Sequence, residues 1–290
     1  MSATSNPMNY LITGAGRGIG RGLTRRLLAR GHRVFLVDSN LPELNNTSSL
    51  LLESGLPTSS FQISHTDLSD RSQISAAVAS ASAFFNGRLD VLINNAFATP
   101  HVWSDGASMA SQEVDIMAEW DLKLAVGLTA PFLLSRLCIP LLTGPASHTD
   151  DDNAKAKAKA SLKPGTIVHI SSTRAHQAEE NHEAYSAIKA GILGLTQSMS
   201  VSLGGQYNIR VNAISPGWIH VEDENASGDV EGKKWEDGLT EQDHRWHPAG
   251  RVGKVEDILN AVDFLVDSDF VTGTEIVVDG GVTKKMVYPE

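Results

Sequence analysis

Residues 8–20 read M-N-Y-L-I-T-G-A-G-R-G-I-G, and the fold follows from them. Residues 8–13 form a short apolar run with the character of a buried strand, and the run breaks at glycines. The next residues, R-G-L-T-R-R-L-L-A-R, put Ile19, Leu23, Leu27 and Leu28 on one helical face. Gly31 ends that helix. Residues 33–37 (R-V-F-L-V) make a second strand, and Asp38 sits at its end. Strand, glycine-rich turn, helix and strand form a βαβ unit. Such a unit predicts an α/β chain built on a doubly wound parallel sheet.

The turn itself has a chemical use. Glycines let the backbone approach a pyrophosphate at the helix N-terminus, where free N–H groups and the helix dipole favour an anion. Gly14, Gly18 and Gly20 are spaced G-x-x-x-G-x-G, since Ile19 breaks the G-x-G-x-x-G spacing. Asp38 is placed to accept from both adenosine ribose hydroxyls and to repel a 2′-phosphate. Arg17 pulls the other way, toward such a phosphate. The carboxylate weighs more, so NAD is the expected cofactor and NADP the alternative. The plain structural reading of Asp38 is a helix cap or a turn.

Further on, residues 61–64 read as a third strand, followed by Asp67, placed to accept from an adenine amino group or to cap a helix over 71–85. Residues 89–93 (L-D-V-L-I) are a fourth strand, ending in Asn94-Asn95-Ala96, whose amides can brace neighbouring strand ends. Residues 114–142 carry a long apolar helical pattern, with Met117, Trp120, Leu124, Leu128, Phe132 and Leu133 at three- and four-residue steps. Residues 144–163 are low-complexity, acidic and then basic, and read as an exposed insertion.

A fifth strand, 166–170, leads into S-S-T-R-A-H-Q-A-E-E-N-H-E-A-Y-S-A-I-K, residues 171–189. Tyr185 and Lys189 lie one helical turn apart. A neighbouring ammonium favours ionisation of a tyrosine, whose ordinary pKa is about 10. A tyrosine so poised can exchange a proton at a substrate oxygen. Ser172, at the strand end, can bond the same oxygen. Alone, a Tyr-x-x-x-Lys pair is usually a surface pair. A sixth strand, 208–214, ends in Ser215-Pro216-Gly217-Trp218, a rigid corner suited to one wall of a nicotinamide site. Residues 218–250 are irregular and read as a substrate lid, whose histidines read more readily as surface groups than as ligands. A helix over 255–265 and a strand over 275–278 complete the chain.

Bulk composition narrows the function. The 290 residues are 41% hydrophobic and 20% charged, as in ordinary globular proteins, and give one domain with its core over about 8–281. The net charge of −10 argues against nucleic acid or an anionic membrane as partner. The histidines form no H-x-x-x-H pair backed by carboxylates, so no metal is expected. The one cysteine, Cys138, lies in an apolar helical run and reads as a reduced core thiol. No uninterrupted apolar run reaches the ~18 residues of a membrane span, and the first ten residues lack signal-peptide character. The cytoplasm is the expected compartment.

The ordered pieces resemble the short-chain dehydrogenase/reductase family over nearly the whole chain. The resemblance rests on T-G-A-G-R-G-I-G at 13–20, Asp67-Leu68, N-N-A at 94–96, Ser172 with Tyr185 and Lys189, R-V-N-A-I-S-P-G at 210–217 and V-D-G-G at 278–281. It implies a Rossmann sheet of about seven strands with helices on both faces. It implies an enzyme interconverting a secondary alcohol and a ketone, with Ser172, Tyr185 and Lys189 as catalytic residues. Cofactor contacts would come from Gly14, Arg17, Gly18, Ile19, Gly20, Asp38, Asp67, Leu68, Asn94, Ala96, Tyr185, Lys189, Pro216, Gly217 and Ile219. A homodimer or homotetramer is implied as well. The chain departs from the family pattern at three positions. Phe97 replaces a glycine. Gly127 replaces the helix asparagine that holds a water relaying protons to the lysine. Val221 replaces a threonine. These departures motivate two rival readings: a non-redox enzyme of the same fold, and a dinucleotide-binding protein without turnover.

Overall fold

The computed structural model describes residues 7–112, 115–144 and 163–286. The predicted insertion lies almost wholly outside the described residues. The described residues contain a seven-stranded parallel sheet in the order β3-β2-β1-β4-β5-β6-β7. Its strands are β1 (Asn9–Thr13), β2 (Arg33–Asp38), β3 (Phe61–His65), β4 (Val91–Asn94), β5 (Gly165–Ile170), β6 (Ile209–Pro216) and β7 (Glu275–Val278). The order reverses between β1 and β4, which opens a crevice at the carboxyl ends of those strands.

Period-two alternation sends successive strand residues to opposite faces. Ile12, Leu36, Ile93 and Val168 join the core under helices α1 (Gly18–Ala29) and α2 (Leu41–Glu53). Leu11, Phe35, Leu92 and Ile167 join the core on the other face, under α3 (Arg71–Phe84). Both faces are therefore apolar, as a parallel sheet requires. Asp70, not Asp67, caps α3, accepting from Ser72 N–H at 2.8 Å. Asp67 instead closes a turn onto Ser69 N–H at 2.8 Å.

The long apolar pattern becomes α4 (Ile116–Leu124), a π-turn (Ala125–Thr129) and α5 (Ala130–Thr143). The run Ile116–Thr143 is long and apolar enough to cross a membrane, with a mean hydropathy of 1.7. In this fold Leu134, Cys138, Leu141 and Leu142 of the run are buried in the core. Helix α6 (Glu183–Tyr207) packs beside β6. Residues 218–250 contain two short helices, α7 (Ala226–Glu231) and α8 (Glu241–Trp246), before α9 (Val255–Asp267) returns to the sheet.

Candidate active site

A cleft of about 2070 Å³ lies over the carboxyl ends of the central strands. Gly14 and Gly18 adopt φ values of +65° and +63°, which side chains rarely tolerate. A Cβ on Gly14 would stand 2.9 Å from Asn95 Nδ2, and one on Gly20 would overlap the Gly14 carbonyl oxygen. Backbone thus lines this end of the cleft, and Arg17, the N-cap residue of α1, supplies no side-chain acceptor to its first N–H groups. This cradle fits a dinucleotide's pyrophosphate.

Asp38 lines the cleft beside the turn. Its Oδ2 accepts from Gly16 N–H at 2.9 Å and its Oδ1 from Asn40 N–H at 2.9 Å. Asn40, not Asp38, caps α2. The Arg17 guanidinium donates to Thr99 Oγ1 at 3.0 Å, so it bridges to the segment after β4. Asp67, Leu68, Ala96, Pro216, Gly217 and Ile219 also line the cleft, together with Gly14, Gly18 and Ile19. Gly20 and Asn94 do not. Gly20 serves the close packing of the turn. Asn94 is buried, with its Nδ2 3.3 Å from Ser135 Oγ and 3.2 Å from His169 Nδ1. Its neighbour Asn95 does the bracing, donating to Thr13 O at 3.0 Å and to Gly14 O at 3.2 Å.

Ser172 follows β5 and caps a short turn, accepting from Arg174 N–H at 3.1 Å. Tyr185 lies in the first turn of α6 and faces the cleft beside Ser172, whose side chain favours ionisation of the phenol. Lys189, one turn on, is buried and donates to Ile170 O at 2.8 Å. Ser171 Oγ donates to Lys189 O at 2.8 Å, which ties α6 to the end of β5. Three groups from two elements are thereby fixed relative to one another.

The electrostatics differ from the sequence expectation. Burial pushes the Tyr185 hydroxyl up, against the Ser172 side chain and the charge of Arg174, which favour ionisation. Burial also pushes Lys189 down, to about 8. Two cations stand near Tyr185: Arg174, whose charge favours ionisation, and Lys189, whose Nζ lies 5.4 Å from the ring centroid.

Aromatic rings frame the tyrosine. His101 stacks on it, with centroids 4.3 Å apart and planes 28° from parallel. Phe97 meets it edge-on at 4.8 Å and 86°. Lys189 Nζ lies 5.3 Å from the Phe97 centroid. Burial, with the charge of Lys189, pushes His101 down to about 4, so the ring is neutral near pH 7. Phe97 packs over Gly127 in the π-turn. A Cβ on Gly127 would come within 3.0 Å of Phe97 Cε2 and 2.7 Å of Ile188 Cγ2.

Residues of the 218–250 segment line the other side of the cleft. Glu224, almost fully buried, pairs with Arg25 at 2.9 Å and Arg26 at 2.7 Å, both on α1. Its carbonyl accepts from Gly18 N–H at 2.7 Å. Trp218 and Trp246, 45% and 49% exposed, line the cleft. Of the histidines in this segment, His220 is engaged by Asp237 O at 3.0 Å, while His247 lines the cleft. Sequence reasoning missed Asn95, His101, Arg174 and Trp246 as cleft residues. Only Asn95 carried a signal, its place beside Asn94 on the opposite face of the strand end.

A parallel sheet with a dinucleotide cradle and a Ser-Tyr-Lys cluster in one cleft defines a nucleotide-dependent oxidoreductase. The family model described as short chain dehydrogenase matches residues 9–230. An uncharacterized oxidoreductase of Thermotoga maritima is 34% identical over 283 residues, 97% of each chain. Levodione reductase of Leifsonia aquatica is 29% identical over 292 residues, covering 97% of this chain and 98% of that one. Among solved structures, an apo SCOR enzyme from Clostridium thermocellum superposes with a TM-score of 0.73 at 33% identity, over 98% and 96% of the two chains. The chain belongs to the short-chain dehydrogenase family, and it is an enzyme of the oxidoreductase class with a nicotinamide dinucleotide as cofactor.

Proposed function

We propose that this chain is an NAD-dependent dehydrogenase that interconverts a secondary alcohol and a ketone, with Tyr185 as acid and base. The observation that carries the reading is the Ser172–Tyr185 hydroxyl pair, with Lys189 beneath it, in the same cleft as Asp38 and the glycine turn. The bound nicotinamide supplies hydride chemistry. The chain's own residues do the rest. Ser172 holds the substrate oxygen. Tyr185 gives that oxygen a proton in reduction and takes one in oxidation. The oxygens of Asp38 accept from the adenosine ribose hydroxyls. A negative carboxylate there opposes a 2′-phosphate, and Arg17 is engaged by Thr99, so NAD is preferred to NADP.

A second reading rests on one observation. Phe97 fills the space beside Gly127 where the family's asparagine would hold a relay water, which favours a non-redox enzyme of the same fold. Calorimetry with NADH and NADPH, followed by turnover against a mixed panel of alcohols and ketones, separates the two. Tighter NADH binding with turnover supports the dehydrogenase. Binding without turnover on any compound moves the non-redox reading ahead.

We also infer self-association into a homodimer or homotetramer through the exposed side of α4 and α5, where Met117, Leu122 and Phe132 are 59%, 46% and 50% exposed. A cytoplasmic, reducing compartment suits Cys138, whose thiol is buried and pushed up to about 12.

A further inference from the structure

The substrate end of the cleft has a chemistry of its own. Arg174 lines it, and its guanidinium is paired with the carboxylate of Glu179. The other oxygen of Glu179 lies 3.6 Å from His182 Nε2. Glu222, paired with Lys233 at 3.2 Å, and Asp243, whose Oδ2 accepts from Thr240 N–H at 2.7 Å, line the same cleft. Lys189 is buried and bonded to Ile170 O. An anionic substrate would therefore meet a paired arginine and an excess of acids.

A purely hydrocarbon ketone fits no better. Seating it would desolvate Arg174, Glu179, Gln177 and His182 without returning hydrogen bonds, at a cost for each group. A molecule with several hydroxyls does return them. A guanidinium carries five donors and a carboxylate about four acceptor sites, so an Arg–Glu pair keeps both kinds free for neighbouring hydroxyls. His101 is stacked on Tyr185 and adds a ring nitrogen at the cleft wall. The half-exposed indoles of Trp218 and Trp246 offer flat faces to the C–H side of such a molecule.

We propose that the substrate is a neutral polyhydroxylated molecule, a polyol or sugar, whose hydroxyl next to the reacting carbinol is held by the Arg174–Glu179 pair. The proposal rests on the dehydrogenase reading above. In oxidation the carbinol C–H bond breaks and its hydride passes to the nicotinamide ring. Tyr185 first releases its own proton to solvent; the O–H proton then passes to the resulting phenolate oxygen, and the two electrons of the O–H bond become the second bond of the carbonyl. The products are a hydroxyketone and the reduced dinucleotide.

The test uses purified protein with NAD and three sets of compounds: neutral polyols and sugars, cyclic monoalcohols such as cyclohexanol, and hydroxy acids. Turnover is read from reduced-nicotinamide absorbance, and binding to the protein–NAD complex by calorimetry. Polyols are expected to turn over with the highest kcat/KM. In Glu179→Gln the KM for the best polyol should rise about 10-fold with kcat within about threefold, as for one lost charged hydrogen bond. Cyclohexanol should change less than about twofold, and hydroxy acids should gain. Turnover confined to monoalcohols or hydroxy acids overturns the polyol assignment and leaves the dehydrogenase standing. Polyol binding without turnover of any compound overturns the dehydrogenase and keeps the ligand class. Neither binding nor turnover of polyols overturns the proposal.

Discussion

Phe97 stands where a side chain on Gly127 would have to go. A Cβ added to Gly127 would lie 3.0 Å from Phe97 Cε2 and 3.1 Å from Cδ2. Two departures from the family pattern, 30 positions apart in sequence, are thus one exchange in space. The ring gained after β4 fills the volume lost from the π-turn. It also places an aromatic face 5.3 Å from Lys189 Nζ.

Gly127→Asn alone should therefore destabilise the protein by about 1–3 kcal/mol, the usual cost of overpacking. Phe97→Gly should cost a similar amount through the cavity it leaves. The double variant should recover part of both losses. Denaturant unfolding of all four proteins gives the coupling energy, and strict additivity would mean that the two positions do not share space.

Asp38→Ala should shift cofactor preference toward NADP. The variant removes the charge that opposes a 2′-phosphate, and it frees the Gly16 and Asn40 N–H groups that the carboxylate now holds. Calorimetry should show NADH affinity falling by about 10-fold while NADPH affinity holds or rises. An unchanged ratio of the two affinities would remove Asp38 from the ribose.

Sequence and structure part company where contacts are long-range. The glycine turn, Asp38 and the Tyr185–Lys189 spacing are local patterns, and all were legible. The partner of Arg17 was not, because Thr99 is 82 residues away. Neither was the stacking of His101 on Tyr185, since no local periodicity governs a loop. Asn94 and Asn95 were distinguishable only once the sheet fixed which strand-end side chain faced the cleft. The cap alternative for Asp67 falls three residues early, because Asp67 and Asp70 both precede α3 with suitable chemistry.

Lys189 should make stability depend on alkaline pH. Its pKa is lowered from 10.5 to about 8 by burial, so between these values the unfolded chain binds the proton and the folded chain does not. Stability from this group therefore rises with pH through that window, and the cost of burying the charge is fully present below it. Lys189→Met should stabilise the protein at pH 7, and the gain should shrink by roughly 2–3 kcal/mol at pH 10. Thermal unfolding of both proteins at the two pH values checks the sign.

Glu224 should govern how firmly the lid holds the cofactor end of the cleft. It is buried against Arg25 and Arg26, while its carbonyl accepts from Gly18 N–H in the glycine turn. Glu224→Ala leaves that arginine cluster without its buried acid and should cost about 3–5 kcal/mol of stability. Glu224→Gln keeps the shape and should cost less, yet still speed release of NADH in stopped-flow fluorescence. An unchanged release rate in both variants would separate the lid from cofactor retention.

The dehydrogenase reading depends above all on proton exchange between Tyr185 and the substrate oxygen. The most direct measurement compares wild type and Tyr185→Phe for NADH binding by calorimetry and for turnover of the best substrate. In Tyr185→Phe turnover should fall by at least about 1000-fold, with NADH affinity changed less than about threefold. Turnover by Tyr185→Phe near the wild-type rate would contradict it.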